Sequence, residues 1–330
     1  MFRKVLVPLD RSPLAEQALD IAAEIAHASQ ASMDVVLVHQ HPAVLGVKID
    51  DRFNEELWSA EDKYLVAIVS ELEKQQGVAA TRAVPAGHPV EMIAARAQDV
   101  EADLIVMTTH GRTGLSRAWL GSVADGVVRH SRIPVLMLRP VEGDLPRGNV
   151  RPLLKRILLP LDGSPLSASI LDVASDLARS LKARVVLLRI VLPIPFVVSE
   201  IITGSTGLLP VEDEAATRVV AEEAKREIVA AAQRLTQQGC RDVEEHVIVA
   251  TNVAQEIVDF TRSHAVDLVA MSTHGRGVSR LVVGSVADKV LRASGVPVLL
   301  RRPEMSRTDE GAADVDAIED QLPAVSGAKG

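Results

Sequence analysis

Cysteine is nearly missing from this chain: Cys240 is the only one. It cannot pair within the polypeptide, so no disulfide framework is expected and a reducing compartment suits it. The N-terminus shows no charged start followed by an apolar stretch and a small-residue cleavage site, so export is not expected and the cytoplasm is the expected location. Basic excess is missing too. Acidic residues number 44 against 36 basic ones, for a formal net charge of -8. A chain without positive character is poorly suited to a phosphate backbone, which sets nucleic acid aside as a partner. No apolar run is continuous enough for a bilayer. The most apolar stretch, residues 191–211, is interrupted by Pro193, Pro195, Gly204, Gly207 and Pro210, whereas a span needs about 20 residues of unbroken helix. No membrane partner is expected.

Catalytic signatures are absent as well. There is no Gly-x4-Gly-Lys-Ser/Thr phosphate loop, no His-x-Gly-His signature and no glycine-framed nucleophilic serine, so no catalytic residue is assigned. His110 and His274 stand in matching contexts, and His39 and His41 form a His-x-His pair. A metal site or a general base needs a partner within hydrogen-bond reach, and none is evident, so structural roles are expected and no metal.

What the sequence does contain is an internal repeat. Val5-Leu6-Val7-Pro8-Leu9-Asp10 returns as Ile157-Leu158-Leu159-Pro160-Leu161-Asp162, and each copy is followed by a Ser-Pro pair, Ser12-Pro13 and Ser164-Pro165. That pair places a capping hydroxyl before a proline at the first helical position. Leu14, Ala18, Ile21, Ala22 and Ile25 then recur as Leu166, Ile170, Val173, Ala174 and Leu177 along one helical face. Asp103 to Arg112 matches Asp267 to Arg276, Gly121-Ser122-Val123-Ala124-Asp125 matches Gly284-Ser285-Val286-Ala287-Asp288, and Pro134-Val135-Leu136 matches Pro297-Val298-Leu299. The chain is long enough for two domains of about 150 residues. They are expected at 1–140 and 153–302, with a Pro- and Gly-rich linker at 141–152 and a disordered acidic tail at 303–330.

Within the first half, short apolar runs alternate with helical patterns. Strands are expected near 4–8, 33–38, 78–84, 104–107 and 135–138, with helices to about Ser29, over 55–76, from about Val90 and from Ser122. Strands apolar on both faces and separated by helices mean a parallel sheet covered on both sides. The expected fold class is α/β: two doubly wound, Rossmann-like, three-layer domains, each with a five-stranded mostly parallel sheet. Such sheets bind ligands at the carboxyl ends of their strands, where strand order reverses. There the loop from Thr108 to Leu120 carries Gly111 and Arg112 and delivers Gly121-Ser122 to a helix start, whose unpaired N–H groups favour phosphate. Asp10 either receives hydrogen bonds from a nucleotide or organises the turn before the first helix, and Asp162 repeats the choice. Ser122 and Asp125 also read as a capping box.

These motifs resemble the universal stress protein family over both halves nearly end to end. The family's nucleotide-binding members carry a Gly-x2-Gly-x9-Gly-Ser/Thr loop. Gly111 matches its second glycine, nine residues separate it from Gly121, and Ser122 closes the motif, while Thr108 replaces the first glycine. In the second half Ser272 stands at that first position, and Gly275 is followed by Gly284-Ser285 after only eight residues. A β-branched Thr108 adopts positive φ at a cost. The resemblance implies an adenine-nucleotide pocket for ATP, with or without Mg²⁺, formed by Leu9, Asp10, Val38, Met107, Thr108, His110, Gly111, Arg112, Gly121, Ser122 and Val123. Its second-half counterparts are Leu161, Asp162, Leu188, Met271, Ser272, Gly275, Arg276, Gly284, Ser285 and Val286. The first half is the expected binding site, with at most slow hydrolysis, in a stress-response regulator or sensor. The alternative is a nucleotide-free scaffold that binds a protein partner through the apolar loop 191–211, where Phe196, Val197, Ile201 and Ile202 form an apolar patch. The last strands are expected at sheet edges that, in this family, pair antiparallel between domains, within one chain or in a homodimer.

Overall fold

The strands of this chain are buried on both faces, and that demand organises everything else. The structure, a computed structural model, describes residues 1–40, 51–110, 120–140, 154–202, 205–273 and 284–302, with the backbone alone for 196–202 and 205–212. The expected linker and acidic tail lie outside the described residues. In strand β1 (Lys4–Leu9), Val5, Leu6 and Val7 are fully buried in succession, so helices must cover both sides.

After β1 come α1 (Pro13–Glu16), α2 (Ala18–Ser29), β2 (Ser32–Leu37), α3 (Asp51–Glu71), a π-helical turn over Leu72–Gln76, β3 (Ala80–Ala83), α4 (Pro89–Asp99), β4 (Leu104–Thr108), α5 (Ser122–His130) and β5 (Val135–Leu138). The second half repeats the order with β6 (Arg156–Leu161), α6 (Pro165–Ala168), α7 (Ile170–Leu181), β7 (Arg184–Val191), α8 (Glu214–Gln237), β10 (Val243–Val249), α9 (Val253–Ser263), β11 (Leu268–Ser272), α10 (Ser285–Ala293) and β12 (Val298–Arg301). Between β7 and α8 it inserts β8 (Pro195–Ile202) and β9 (Ser205–Glu212), paired antiparallel with each other and separate from the main sheet. The stretch expected as a loop is therefore a hairpin; its β-branched residues favour strand, and its prolines keep it out of a central position.

The single helix expected after each Ser-Pro pair is two. Ser12 Oγ accepts from Ala15 N at 3.1 Å, and Ser164 Oγ from Ser167 N at 3.1 Å, which caps α1 and α6. Gln17 N then bonds back to Leu14 O at 3.3 Å, and Ser169 N to Leu166 O at 3.2 Å. This i→i+3 tightening ends the first turn before α2 and α7 begin.

The strand order is β3-β2-β1-β4-β5 followed by β12-β11-β6-β7-β10, a continuous ten-stranded sheet. Pairing is parallel within each half, and β12 meets β5 antiparallel with Leu299 opposite Leu136. One face buries Val5, Val7, Leu136, Ile157 and Leu299 under α2, α3, α7 and α8; the other buries Leu6, Ile105, Met137, Leu158 and Leu300 under α4, α5, α9 and α10. Each core runs without interruption across both halves.

One charge sits inside β2. Asp34 is fully buried and receives Arg96 Nε at 2.9 Å, Arg96 Nη2 at 2.7 Å and Thr81 Oγ1 at 2.5 Å. The bidentate pair ties α4 to the sheet just beyond the site described below. Arg96→Ala leaves this carboxylate without its counter-charge and is expected to cost about 3 kcal/mol, read from urea unfolding; a loss under about 1 kcal/mol contradicts this account of the pair.

At the opposite margin Glu244 joins β10 to its neighbours, accepting from Arg156 Nη2 at 2.8 Å and from Arg184. Burial works to raise the Glu244 carboxyl, but hydrogen bonds and charge from Arg156 and Arg184 outweigh it and hold it below its ordinary value. A carboxyl lowered by folding adds stability above its unfolded pKa and loses that contribution as pH falls through the folded value. The urea midpoint of the wild type is expected to exceed that of Glu244→Gln at about pH 7, with the gap narrowing as pH is lowered toward about pH 3; a gap that is unchanged between the two pH values removes the linkage.

Candidate functional site

Strand order reverses between β1 and β4, since β1 pairs with β2 on one side and β4 on the other. At the carboxyl ends of these strands lies a cavity of about 330 Å³, closed from one side by α4 and α5. Its walls include Leu9, Asp10, Val38, Met107, Thr108, His110, Gly121, Ser122 and Val123. Gly111 and Arg112 lie outside the described residues, so their placement is not part of this geometry.

Asp10 organises the turn. Its Oδ1 accepts from Ser12 N at 3.0 Å and Ser12 Oγ at 2.6 Å, and Asp162 does the same for Ser164 at 2.9 and 2.6 Å. The turn-making reading is thus what the geometry displays, and Asp10 keeps a place in the cavity wall besides.

Thr108 carries no backbone strain. It is the last residue of β4 and is absent from the residues with positive φ. The expected cost of a β-branched residue does not arise, because extended backbone is where such side chains fit best. Its hydroxyl donates to His110 O at 2.8 Å, which folds the chain back at the cavity rim. His110 Nδ1 stands 3.0 Å from Thr109 Oγ1.

Gly121 is the cap residue of α5, and Ser122 is the first helical residue. The expected capping box does not form: no side chain caps α5, and Asp125 instead receives Arg129 Nε at 2.7 Å. The register explains the failure, because a serine inside the first turn cannot reach back to the N–H groups that a cap residue serves. Gly121 N donates to Thr109 O at 2.9 Å, and a Cβ at Gly121 would lie 2.9 Å from that same oxygen. Only glycine lets the helix start this close to β4. Ser122, Val123 and Ala124 follow, with N–H groups that have no acceptor inside the helix, and all three residues line the cavity. The dipole and these donors favour an anion here. None of the described lining residues is Lys or Arg.

Sequence reasoning missed Val36, Gln40, Pro89 and Ile93, which line the wall together with Pro8, Ala15, Leu37 and Thr109. A helix near Val90 was expected but given no role, since its passage across the strand ends is set by packing that includes Arg96 on Asp34. His39 has the partner that was not evident: Nδ1 is 2.7 Å from Glu61 Oε2, Nε2 is 2.9 Å from Asn54 Oδ1, and the ring stacks on Trp58. It is a buried structural residue, and His41 lies outside the described residues.

The second half reproduces the anion cradle. Gly284 N donates to Thr273 O at 2.8 Å, a Cβ on Gly284 would sit 2.8 Å from that oxygen, and no side chain caps α10, which begins at Ser285. Ser272 ends β11, and its hydroxyl donates to Leu166 O at 2.9 Å. Leu188 is not the counterpart of Val38. It pairs with Pro160 as Val36 pairs with Pro8, so Ile190 stands where the first half has Val38. Leu188 and Met271 are buried in the apolar core, with Val286 packed against it. Gly275, Arg276 and His274 lie outside the described residues. A second cavity does occur in this half, but Leu161 is the only expected residue that lines it.

Fold and site together define a tandem, doubly wound α/β protein with a cavity at the switch point of its first half. The model of the universal stress protein family matches residues 1–139 and again 154–302, and the chain belongs to that family. A universal stress protein of Methanocaldococcus jannaschii is 30% identical over 141 residues, covering 42% of this chain and 83% of its own. One from Mycobacterium tuberculosis is 30% identical over 206 residues, 61% of this chain and 62% of that relative's length. Among solved structures, a universal stress protein from Archaeoglobus fulgidus superposes with a TM-score of 0.63 at 21% identity, over 91% of this chain and 98% of its own. A putative universal stress protein from Pseudomonas aeruginosa gives 0.63 at 18% identity, over 97% and 98%. These two likenesses are of fold.

Gly121→Ala forces Thr109 O and α5 apart. It is expected to destabilise the protein by about 1–3 kcal/mol, whereas an unaltered urea midpoint would show that the close approach is not required.

Proposed function

We propose that domain 1 binds ATP or a related adenine nucleotide, and that the protein acts in the cytoplasm as a stress-response regulator whose conformation or partner choice follows that occupancy. The observation that carries this reading is the uncapped start of α5 in the wall of the cavity. Backbone donors from Ser122 to Ala124 suit phosphates, and Leu9, Val38, Met107 and Val123 offer apolar surface to a base. A volume of about 330 Å³ falls within the roughly 300–1,000 Å³ of small-molecule sites. With no cationic side chain among the described lining residues, charge balance for a triphosphate falls to Mg²⁺ and to Arg112. Domain 2 shares the cradle, but its shortened loop makes domain 1 the preferred site. Partner docking on the hairpin β8–β9 is the second reading, supported by that hairpin's pairing, among the described residues, with itself alone.

A ligand at about 100 times its Kd adds about 2.7 kcal/mol of stability, which raises Tm by several degrees for a domain of this size. Millimolar ATP with Mg²⁺ is expected to do so, Gly121→Trp to abolish the shift, and Gly284→Trp to leave it in place. No shift in the wild type overturns the nucleotide reading; a shift lost only in Gly284→Trp moves the site to domain 2.

A further inference from the structure

The two halves diverge sharply on the face of the sheet opposite α5 and α10. There domain 2 holds a cavity of about 220 Å³ between β6, β7, α6 and α8, walled by Leu161, Ala168, Ile228 and Ala231 and bounded by Arg189 and Glu227. Domain 1 fills the part of this place that lies under its third helix, while Leu9, Ala15 and Leu37 border its own cavity. Leu9 pairs with Leu37 as Leu161 pairs with Arg189, so Arg189 occupies the position of the buried Leu37. The repeated Ser-Pro pair sets Ala168 at the position of Glu16. Aligning the buried Leu65 of α3 and Leu72 of the π-helical turn after it with Ile228 and Leu235 of α8 sets Glu227 at Tyr64 and Ala231 at Ile68. In domain 1, Tyr64 Oη donates to Glu16 Oε1 at 2.6 Å and Ile68 is buried, so the space is occupied and its polar groups are paired. Domain 2 has small residues at two of these positions and opposite charges at the other two.

Those charges are incompletely matched. The Arg189 side chain is only 12% exposed, and its Nε lies 3.5 Å from Glu227 Oε2. This buried Nε has no hydrogen-bond partner among the described residues. Gly163, at φ 80, makes room for the pair: a Cβ there would lie 2.5 Å from Glu227 Oε2 and 3.0 Å from Arg189 Nη2. A buried guanidinium with an unmade hydrogen bond is unfavourable, and its planar fork donates best to a carboxylate. Glu227 alongside disfavours a simple anion but suits a ligand that carries an ammonium beside its carboxylate. The remaining walls are apolar apart from Ser164 and Ser167, whose hydroxyls already donate to Asp162 Oδ1 and Ser164 O, and the volume lies below that of drug-sized sites. We infer that this cavity binds a small zwitterion with an apolar side chain, of the α-amino acid class, independently of the nucleotide site in domain 1.

Calorimetric titration of the full chain tests this with L-leucine, with isovalerate as the carboxylate alone and with isoamylamine as the ammonium alone. Leucine is expected to bind at least roughly tenfold more tightly than either fragment. Arg189→Leu, which takes the residue of domain 1, and Ala231→Ile, which restores bulk and keeps both charges, are each expected to weaken leucine by roughly tenfold or more. The thermal response to ATP should stay unchanged in both. Absence of leucine binding at millimolar concentration overturns the inference, as does equal binding by both variants. Isovalerate binding as tightly as leucine, or tighter leucine binding in Glu227→Gln, overturns the zwitterion class, and these comparisons decide the matter even if one cavity variant fails to fold.

Discussion

The antiparallel join of β5 to β12 is the constraint on which the rest of this molecule depends. Val135–Leu138 are all buried, and a parallel sheet ending on such a strand would expose both apolar side chains and a row of unpaired backbone groups. Pairing Leu136 with Leu299 within one chain satisfies the hydrogen bonds and fuses the cores on each face. Burying a leucine contributes about 1.5–3 kcal/mol, and the join buries several such residues at once. Because the pairing is antiparallel, the strands of the two halves run in opposite directions. Their carboxyl ends, and any site built there, therefore open at opposite margins of the sheet.

Duplication preserved what backbone geometry demands and released what packing demands. Gly121 and Gly284 make the same contact with the carbonyls of Thr109 and Thr273, at 2.9 and 2.8 Å, because no other residue permits a helix to begin so near a strand. Ser12 and Ser164 cap the same first turn. By contrast, the space beneath β2 is closed by Leu37, Tyr64 and Ile68 in one half, while Arg189, Glu227 and Ala231 leave it open in the other. A core position tolerates replacement as long as neighbours adjust, whereas a backbone approach of under 3 Å to a carbonyl oxygen has only one solution.

Much of the fold was legible in the chain. Doubly buried strands advertise themselves as continuous apolar runs, and the Ser-Pro pairs marked both capped turns. The candidate site was legible where it rested on local chemistry, as at Asp10, Gly121 and Ser122. Reading failed where one residue's meaning depended on register or on a distant element. Ser122 and Asp125 fit a capping box by spacing, yet Ser122 lies one position inside the helix and Asp125 turns to Arg129. Leu188 was matched with Val38, and the strand pairing moves that role two residues on, to Ile190. Gln40, Pro89 and Ile93 carried no local signal of a role in the cavity.

By itself, then, the amino-acid order determined that this protein is a doubled α/β unit with a glycine-led helix start at α5, because apolar periodicity, capping chemistry and glycine's lack of a Cβ act over a few residues. Tertiary structure alone decided which walls close the first cavity, that the copied region opposite α10 is hollow and charged, and that the two sheets become one. Those outcomes depend on side chains far apart in sequence, such as Arg96 with Asp34 and Arg189 with Glu227, whose proximity exists only once the helices have settled on the sheet.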